Sequence, residues 1–450
     1  MSWHVRSVQF LLPVILLAGC ATNDTYRPIS DVVCVVKNEG DCASHSIQIH
    51  NTNDKIEENE YTLGFVEIND QGQFRDNRQQ LNALIKALES TPKDEPLIIS
   101  VFVHGWHHNA KEGDPNIESF KKSLAKLTDV YKPFSIKRKV FGVYVGWRGD
   151  SVNVDYLNEL TFWDRKNTAE NVGHVALTEL LLRLEKVKND RNIAEKERNA
   201  ADKENTNTKS RNRLAIIGHS FGGAAVYQST AQIIVSRFML SGQNGDDNKT
   251  IKGIGDLVVL INPAFEAIRY APLFDLAHAK CEYEQLQKPK LVILTSEKDS
   301  ATKTLFPLGR FFSTLFEKHG EIKRNDCGLP ITFSESKADK IAVGHFEPLI
   351  THELKLAANK PANSKLATKA AFKRVACDDW PPQKNGEPIN LGSTDLVSLG
   401  KTVERNPYLN IKVDSKISAD HNDIFGEELL DFIQVITFAS TDPNCEPNSD

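Results

Sequence analysis

The sequence predicts an α/β fold with a mostly parallel central sheet flanked by helices, and three observations support this prediction. Short continuous apolar runs recur along the chain, as in strands that are buried on both faces. Segments with apolar residues at helical spacing lie between these runs, and such alternation is typical of βαβ units. The chain has 450 residues, of which 40% are hydrophobic, so it can bury a large core.

The alternation begins at residue 61. A first strand is predicted over residues 61–68, and a first helix over the apolar positions 81–88, with Asp76 as a candidate N-cap. Further apolar runs predict strands at 97–103, 140–145, 214–217, 257–261, 291–294 and 408–413. Helical patterns are predicted near 115–128, 169–187, 222–239, 265–287 and 425–436.

Two segments interrupt this pattern. Residues 186–213 are rich in charge and asparagine, which predicts a solvated helix extension followed by a loop. Residues 300–405 are the least regular, with short helical pieces near 311–318 and 347–358, and are expected to form a cap over the sheet. The main domain is therefore placed at 61–436, and residues 437–450 are expected to be a C-terminal tail.

The first 19 residues have the pattern of an export signal rather than of a fold element. An apolar run over residues 10–17 is too short to span a bilayer as a stable helix, and it ends in the sequence LAGC at residues 17–20. That sequence resembles the bacterial lipoprotein signal, in which the cysteine becomes the lipidated first residue of the mature chain. The resemblance implies a membrane anchor at Cys20. Because Ala21 is not the aspartate that retains lipoproteins in the inner membrane, it also implies the periplasmic side of the outer membrane.

Export places a chain in an oxidising compartment, where disulfide bonds persist. The chain has 7 cysteines, and setting Cys20 aside leaves an even number. Cys34 and Cys42 are the pair most readily joined by a disulfide, because they would close a short loop. The rest of residues 20–60 is predicted to be a polar tether. Free buried thiols are the alternative.

The charge balance narrows the possible partners. The formal net charge is -5 at pH 7, whereas a nucleic-acid-binding domain usually carries a basic surplus or patch. Beyond the N-terminus, the sequence contains no apolar segment long enough to span a bilayer. We therefore expect no nucleic-acid partner, and membrane contact only through the N-terminal anchor.

The strongest chemical signal is Gly218-His219-Ser220-Phe221-Gly222, which lies between an apolar strand and a helical pattern. A nucleophile on a tight strand-to-helix turn needs small flanking residues, because the backbone there is strained and crowded. Such a turn lifts the serine hydroxyl above the sheet and places it at a helix N-terminus. A glycine-rich packing turn is the alternative.

In this arrangement the chain resembles the α/β-hydrolase superfamily, in its serine esterase and lipase branch. The resemblance covers roughly residues 61–436, with an atypical stretch at 186–213 and a poorly matched one at 300–405. It implies an α/β-hydrolase fold, a nucleophilic Ser220 and chemistry that needs no cofactor.

His104-Gly105-Trp106 follow directly after the apolar run that ends at residue 103. In α/β hydrolases an H-G motif at this place supplies one N–H of the oxyanion hole. The resemblance therefore implies that Trp106 provides one donor and that Phe221, the residue after the nucleophile, provides the other.

A serine hydroxyl also needs a histidine base and an orienting carboxylate, which follow the serine in the order acid, then histidine, in this family. The resemblance points to Asp299, in the loop after a late strand, with Glu297 and Glu266 as alternatives. His421, in the last strand-to-helix loop, is the expected base, and His345 is the runner-up.

Four residues remain as candidates for other roles. Trp147 is expected either to line the substrate pocket or to pack in the core, and Arg148 either to meet an anionic substrate or to pair with Asp150. His107 and His108 invite a zinc-site interpretation. No E-x-x-H helix accompanies them, so a polar rim and no metal site are predicted.

The pattern as a whole predicts a lipid-anchored serine hydrolase that cleaves small-molecule or lipid carboxylic esters through an acyl-enzyme. Two alternatives stay open. One is a catalytically inactive hydrolase-fold lipoprotein that acts as a binding module, against which the complete set of serine, acid and histidine counts. The other is a lipase or phospholipase that acts on membrane lipid, which the lack of a long apolar lid disfavours.

Overall fold

A computed structural model describes residues 25–38, 40–51, 60–131, 138–149, 158–201, 212–241, 250–307, 317–358, 370–371 and 380–440. The predicted export signal, Cys20, Cys377, Cys445 and the tail from residue 441 lie outside these residues. Within them, no helix combines the length and the apolar character that a membrane crossing requires.

The centre of the protein is a 12-stranded sheet, accompanied by a separate two-stranded hairpin. The strands in chain order are β1 (Ile29–Val36), β2 (His45–His50), β3 (Tyr61–Glu67), β4 (Leu97–Val103), β5 (Lys139–Gly146), β6 (Arg213–His219), β7 (Leu257–Ile261), β8 (Leu291–Ser296), β9 (Glu321–Asp326), β10 (Leu329–Ser334), β11 (His352–Leu356), β12 (Pro388–Asn390), β13 (Thr394–Ser398) and β14 (Tyr408–Val413). Strands β9 and β10 form the hairpin.

The strand order in the sheet is β1-β2-β3-β5-β4-β6-β7-β8-β14-β11-β13-β12. Neighbouring strands from β3 to β11 in this order pair in parallel, whereas β2–β3, β11–β13 and β13–β12 pair antiparallel. Because the carboxyl ends of parallel strands meet at one edge, the loops after β4, β6, β7, β8 and β14 lie next to one another.

Helices cover both faces of this sheet. They are α1 (Gln79–Ser90), α2 (Pro115–Tyr131), α3 (Asn158–His174), α4 (Ala176–Ala201), α5 (Phe221–Leu240), α6 (Ala267–His278), α7 (Glu335–Lys340) and α8 (Glu427–Ala439). The helices α2 and α8 pack on one face, and α1, α3, α4, α5 and α6 on the other. The predicted α/β class with a mostly parallel sheet between helices is therefore confirmed.

The composition of β4 shows why the central strands form. All seven residues of this strand are buried, and its side chains alternate between two apolar clusters. Ile99 and Val101 face the cluster that contains α1 and α5, while Ile98 and Phe102 face α2 and α8. Continuous apolar runs are required when both faces of a parallel strand are covered.

The N-terminal region differs from the tether predicted for residues 20–60. Strands β1 and β2 extend the sheet beyond β3, and β1 pairs with β2 in parallel. The Cys34–Cys42 disulfide is present, with Cα atoms 5.8 Å apart, and a second disulfide joins Cys281 to Cys327. The first strand escapes sequence reasoning because its valines are largely exposed, which removes the apolar alternation of a core strand.

The segment 300–405 also differs from the predicted cap. Three of its strands, β11, β12 and β13, extend the central sheet beyond β14. Residues 352–356 form a strand rather than part of the helix expected near 347–358, because they pair with both β13 and β14. Such pairing partners are distant in sequence, so a local pattern does not indicate them.

The charged segment 186–213 is only partly a solvated extension. Its first part continues α4 and packs against the loop after α1, where the Arg191 guanidinium donates to the backbone carbonyls of Thr91, Pro92 and Glu95 at 2.7–2.9 Å. These bonds compensate the burial of the charge. Residues 202–211 lie outside the described part.

Candidate active site

Ser220 lies between β6 and α5 in a strained backbone conformation. Its φ is 55° and its ψ is -121°, which is unusual for a residue with a side chain. The turn is crowded: a Cβ on Gly222 would lie 2.2 Å from the carbonyl oxygen of Val103, and one on Gly218 would lie 2.7 Å from the carbonyl oxygen of Gly222. Glycine is therefore a steric requirement on both sides of Ser220.

A hydrogen-bonded chain of three side chains runs from this serine. His421 Nε2 is 2.8 Å from Ser220 Oγ, and His421 Nδ1 is 2.8 Å from Asp299 Oδ1. An ionised carboxylate only accepts, so Nδ1 carries the proton and Nε2 is left to accept from the serine hydroxyl. The loops after β6, β8 and β14 thus bring together the three residues that the sequence singled out.

Asp299 is fully buried, at 0% exposure, and accepts hydrogen bonds at both carboxylate oxygens. Besides His421, the Thr302 backbone N–H donates to Oδ1 at 3.0 Å, and the Thr302 hydroxyl donates to Oδ2. Burial alone raises the pKa of Asp299, but the bonds from His421 and Thr302 outweigh it and hold the pKa below its ordinary value. The residue is therefore an anion at neutral pH, as an orienting carboxylate must be.

The loop that carries His421 is held through its own backbone. The carbonyl oxygen of His421 accepts from His219 Nε2 at 2.9 Å and from Asn262 Nδ2 at 2.8 Å. Asn262 Oδ1 in turn accepts from the Ser296 backbone N–H at 2.9 Å. Burial lowers the pKa of His219 well below its usual value, so its ring is neutral and its proton sits on Nε2. Two donors on one carbonyl fix the base relative to β6 and β7.

The loop after β4 lies directly against the serine. A Cβ on Gly105 would lie only 2.8 Å from Ser220 Cβ, so the backbone that leads into Trp106 is in close contact with Ser220. Phe221 is the first residue of α5. His104 fixes this loop: its Nδ1 donates to the Gly105 carbonyl at 2.8 Å, and its Nε2 accepts from the Trp147 backbone N–H at 3.0 Å. Burial lowers the pKa of His104 to about 4, so the ring stays neutral.

The two pocket candidates have structural partners. Trp147 is only 2% exposed, stacks on His104 and donates from Nε1 to the His104 carbonyl at 2.8 Å, so it packs in the core and does not line an open pocket. Arg148 Nη2 lies 2.5 Å from Asp70 Oδ2. Its expected partner Asp150 lies outside the described residues.

The alternatives for acid and base occupy other positions. Glu297 is half-exposed and pairs with Lys412 at 3.3 Å. Glu266 is buried and forms ion pairs with Lys166 and Arg269. His345, the runner-up base, lies behind the acid, with Nε2 3.0 Å from Thr302 Oγ1.

The two histidines beside Trp106 make contacts typical of a polar loop. His108 Nδ1 is 3.0 Å from Asp114 Oδ1, and the His107 ring stacks on that of Trp106. Among the described residues, the group with metal-ligand spacing is a different one, whose ligand atoms lie within 4.8 Å of one another; it consists of Glu317, His319 and Asp339.

Sequence reasoning missed Asn262 and Thr302. Asn262 is the first residue after β7, and its φ of 47° is in the left-handed region that asparagine tolerates. Thr302 comes three residues after Asp299, at the spacing at which an aspartate accepts from the N–H of a following helical turn. That spacing was the available signal for Thr302, whereas Asn262 is identified only by its contacts in space.

The chain was also compared with known proteins. Comparisons with protein-family models, with curated proteins and with solved structures gave no match. The function of the site is therefore argued from its own geometry, burial and charge.

Proposed function

We propose that this protein is a serine hydrolase of the α/β-hydrolase type that cleaves carboxylic esters through an acyl-enzyme. The observation that carries the proposal is the continuous chain from Ser220 Oγ to His421 to Asp299, with both hydrogen bonds at 2.8 Å. A strained serine between a parallel strand and a helix adds support, because this turn exposes a nucleophile at a helix N-terminus.

In the proposed reaction, Ser220 Oγ attacks the ester carbonyl while His421 Nε2 takes the hydroxyl proton. The tetrahedral intermediate collapses, the C–O bond to the alcohol breaks, and His421 returns the proton to the leaving alkoxide. Water then attacks the acyl-enzyme carbonyl while His421 takes its proton. As the acyl bond to Ser220 Oγ breaks, His421 returns this proton to Oγ, which releases the carboxylic acid and free Ser220. Asp299 stays ionised and stabilises the imidazolium in both halves.

The developing oxyanion requires two fixed N–H donors. We assign them to Phe221, at the start of α5, and to Trp106, whose loop is pressed against Ser220 through Gly105. The buried His104 supports this loop from behind. Such a preformed loop favours the transition state because its groups need not reorganise during the reaction.

The location belongs to the same proposal. Lipidation at Cys20 would tether the enzyme to a bacterial membrane, with the outer membrane expected from Ala21. Metabolic labelling with a radioactive fatty acid tests the anchor: the wild type is expected to incorporate label and to sediment with membranes, and Cys20→Ser is expected to do neither. Incorporation of label by Cys20→Ser would contradict the assignment.

The catalytic proposal is tested with Ser220→Ala. We expect the wild type to hydrolyse p-nitrophenyl acetate and butyrate and to be labelled by a fluorophosphonate probe, and Ser220→Ala to lose both properties. Ser229→Ala is the matched control, since Ser229 is a buried serine on the same helix whose hydroxyl donates to the Val226 carbonyl of that helix. Labelling that survives in Ser220→Ala, or its absence from the wild type, would overturn the proposal.

A further inference from the structure

The hydrogen-bonded chain does not end at Asp299 but continues to a second histidine. The Thr302 hydroxyl donates to Asp299 Oδ2, and Thr302 Oγ1 lies 3.0 Å from His345 Nε2. Thr302 also donates its backbone N–H to the other carboxylate oxygen of Asp299. His345 lies at the end of the short helical turn Val343–His345, which packs against β8 and β14.

The direction of each hydrogen bond in this extension follows from counting protons. A hydroxyl has one proton and two lone pairs, and an ionised carboxylate accepts only. The Thr302 proton must therefore point at Asp299, so the Thr302 oxygen must accept from His345. Burial lowers the pKa of His345, although the Asp299 charge and a hydrogen bond to the Asp299 backbone oppose this, so the ring is neutral. The proton count at Thr302 then assigns the single ring proton to Nε2.

The other tautomer of His345 would weaken the hydrogen bond between Thr302 and Asp299. If the His345 proton moved to Nδ1, Nε2 would become an acceptor and would compete with Asp299 for the Thr302 proton. The tautomer of His345 therefore decides which way the hydroxyl points. It thereby decides whether the second oxygen of the buried acid keeps a donor.

We propose that Thr302 and His345 are positioning residues for the acid of the proposed triad: His345 orients the Thr302 hydroxyl, and Thr302 fixes the Asp299 carboxylate for His421. The inference rests on the proposed ester hydrolysis and adds two residues to its machinery. In this role both residues act through Asp299.

Thr302→Val and Thr302→Ser test the first contact, since valine keeps the shape and loses the hydroxyl, while serine keeps it. With p-nitrophenyl butyrate, we expect Thr302→Val to lower kcat about 10- to 100-fold, the range for a lost bond to a charged group, with KM nearly unchanged. Thr302→Ser is expected to stay close to the wild type. Equal kcat in the valine and serine variants would overturn the role of the hydroxyl.

His345→Leu and His345→Gln test the second contact. The glutamine amide can donate in place of the imidazole Nε2–H, whereas leucine cannot. We expect His345→Leu to lower kcat about 3- to 10-fold, because the Thr302 hydroxyl is then free to turn away from Asp299. We expect His345→Gln to restore most of the activity. A glutamine variant as slow as the leucine variant would contradict the orienting role.

The double variant Thr302→Val/His345→Leu gives the decisive comparison. If His345 acts through Thr302, the double variant is expected to be no slower than Thr302→Val alone, because residues in one chain are not additive. If the two losses multiply, His345 acts by another route and the inference is overturned. Thermal unfolding of each variant separates lost positioning from lost folding.

The pH profile of kcat/KM supplies a readout that a packing role would not move. Without the Thr302 donor, Asp299 attracts the imidazolium proton of His421 more strongly, so the acid limb is expected to move to higher pH in Thr302→Val. The charged or titratable groups acting on His345 are Asp299, Lys303 and His421. An unmoved acid limb would contradict the inference.

The two levels of proposal fail in different ways. If the wild type is labelled by the fluorophosphonate and the four single variants match it in kcat, only the positioning role fails. If the wild type neither hydrolyses esters nor is labelled, the proposed function fails and the positioning role falls with it.

Discussion

Two buried carboxylates follow neighbouring strands of the same sheet and yet have opposite surroundings. Asp299 comes after β8 and is 0% exposed, while Glu266 comes after β7 and is 1% exposed. Asp299 faces the imidazole of His421. Glu266 faces two cations, with Oε1 3.0 Å from Lys166 Nζ and Oε2 2.9 Å from Arg269 Nε.

Glu266 belongs to a network of ion pairs between neighbouring charged side chains. Lys166 and Arg269 both also contact Glu170, so two cations and two anions balance one another. Both carboxylate oxygens of Glu266 therefore face cations rather than an imidazole. Position at the carboxyl edge and burial therefore do not distinguish the two carboxylates, whereas the chemistry of their partners does.

The largest expected effect tests the Asp299 side of this comparison. In Asp299→Asn the amide can donate, so His421 can be held in the wrong tautomer, with its proton on Nε2. We expect kcat for p-nitrophenyl butyrate to fall about 10³- to 10⁴-fold at neutral pH. Glu297→Gln is the control, since Glu297 lies in the same loop but pairs with Lys412 at the surface. Wild-type activity in Asp299→Asn would reassign the acid.

The second prediction concerns stability rather than rate. Glu266→Gln leaves Lys166 and Arg269 without one of their two anions, so we expect the free energy of unfolding to fall by about 3 kcal/mol. Urea unfolding measures this loss. Glu179→Gln, which removes the ion pairs with the half-exposed Arg78 and Arg183, is expected to cost less than about 1 kcal/mol.

The same variant must also leave the chemistry nearly intact. We expect kcat of Glu266→Gln to stay within about threefold of the wild type, because no bond joins Glu266 to His421. A loss of kcat as large as that of Asp299→Asn, in a protein that remains folded, would erase the distinction between the two carboxylates.

The smallest expected effect is a pH dependence of stability. Since the folded state lowers the pKa of Asp299, ionised Asp299 contributes stability that is present above its unfolded pKa of about 3.9 and is lost as pH falls through the folded pKa. The difference in unfolding free energy between wild type and Asp299→Asn is therefore expected to shift in favour of the variant below about pH 4. Urea unfolding from pH 6 to pH 2.5 measures it, and a constant difference would contradict the sign.

Much of the fold was accessible from local patterns. The central strands β4, β7 and β14 have the predicted bounds, because β4 and β7 are almost continuously apolar and β14 is rich in aromatic and aliphatic residues. The outer strands β1, β11 and β13 escaped prediction, since their stability comes from pairing with strands distant in sequence. Elements at the edges of a sheet bury less apolar surface, so their sequences indicate them less clearly.

The sequence by itself determined the type of fold and the residues to consider: a serine between glycines, a histidine in the last loop and three candidate acids. It favoured Asp299 as the acid but left Glu297 and Glu266 open as alternatives, because all three lie near strand ends. The tertiary structure places Asp299 alone of the three at 2.8 Å from His421, which supports Asp299 as the acid of the proposed triad. It also places His345 next to Thr302, whose hydroxyl bonds to Asp299. Hydrogen bonds need donor–acceptor distances of about 3 Å, and only the folded structure determines which side chains come that close.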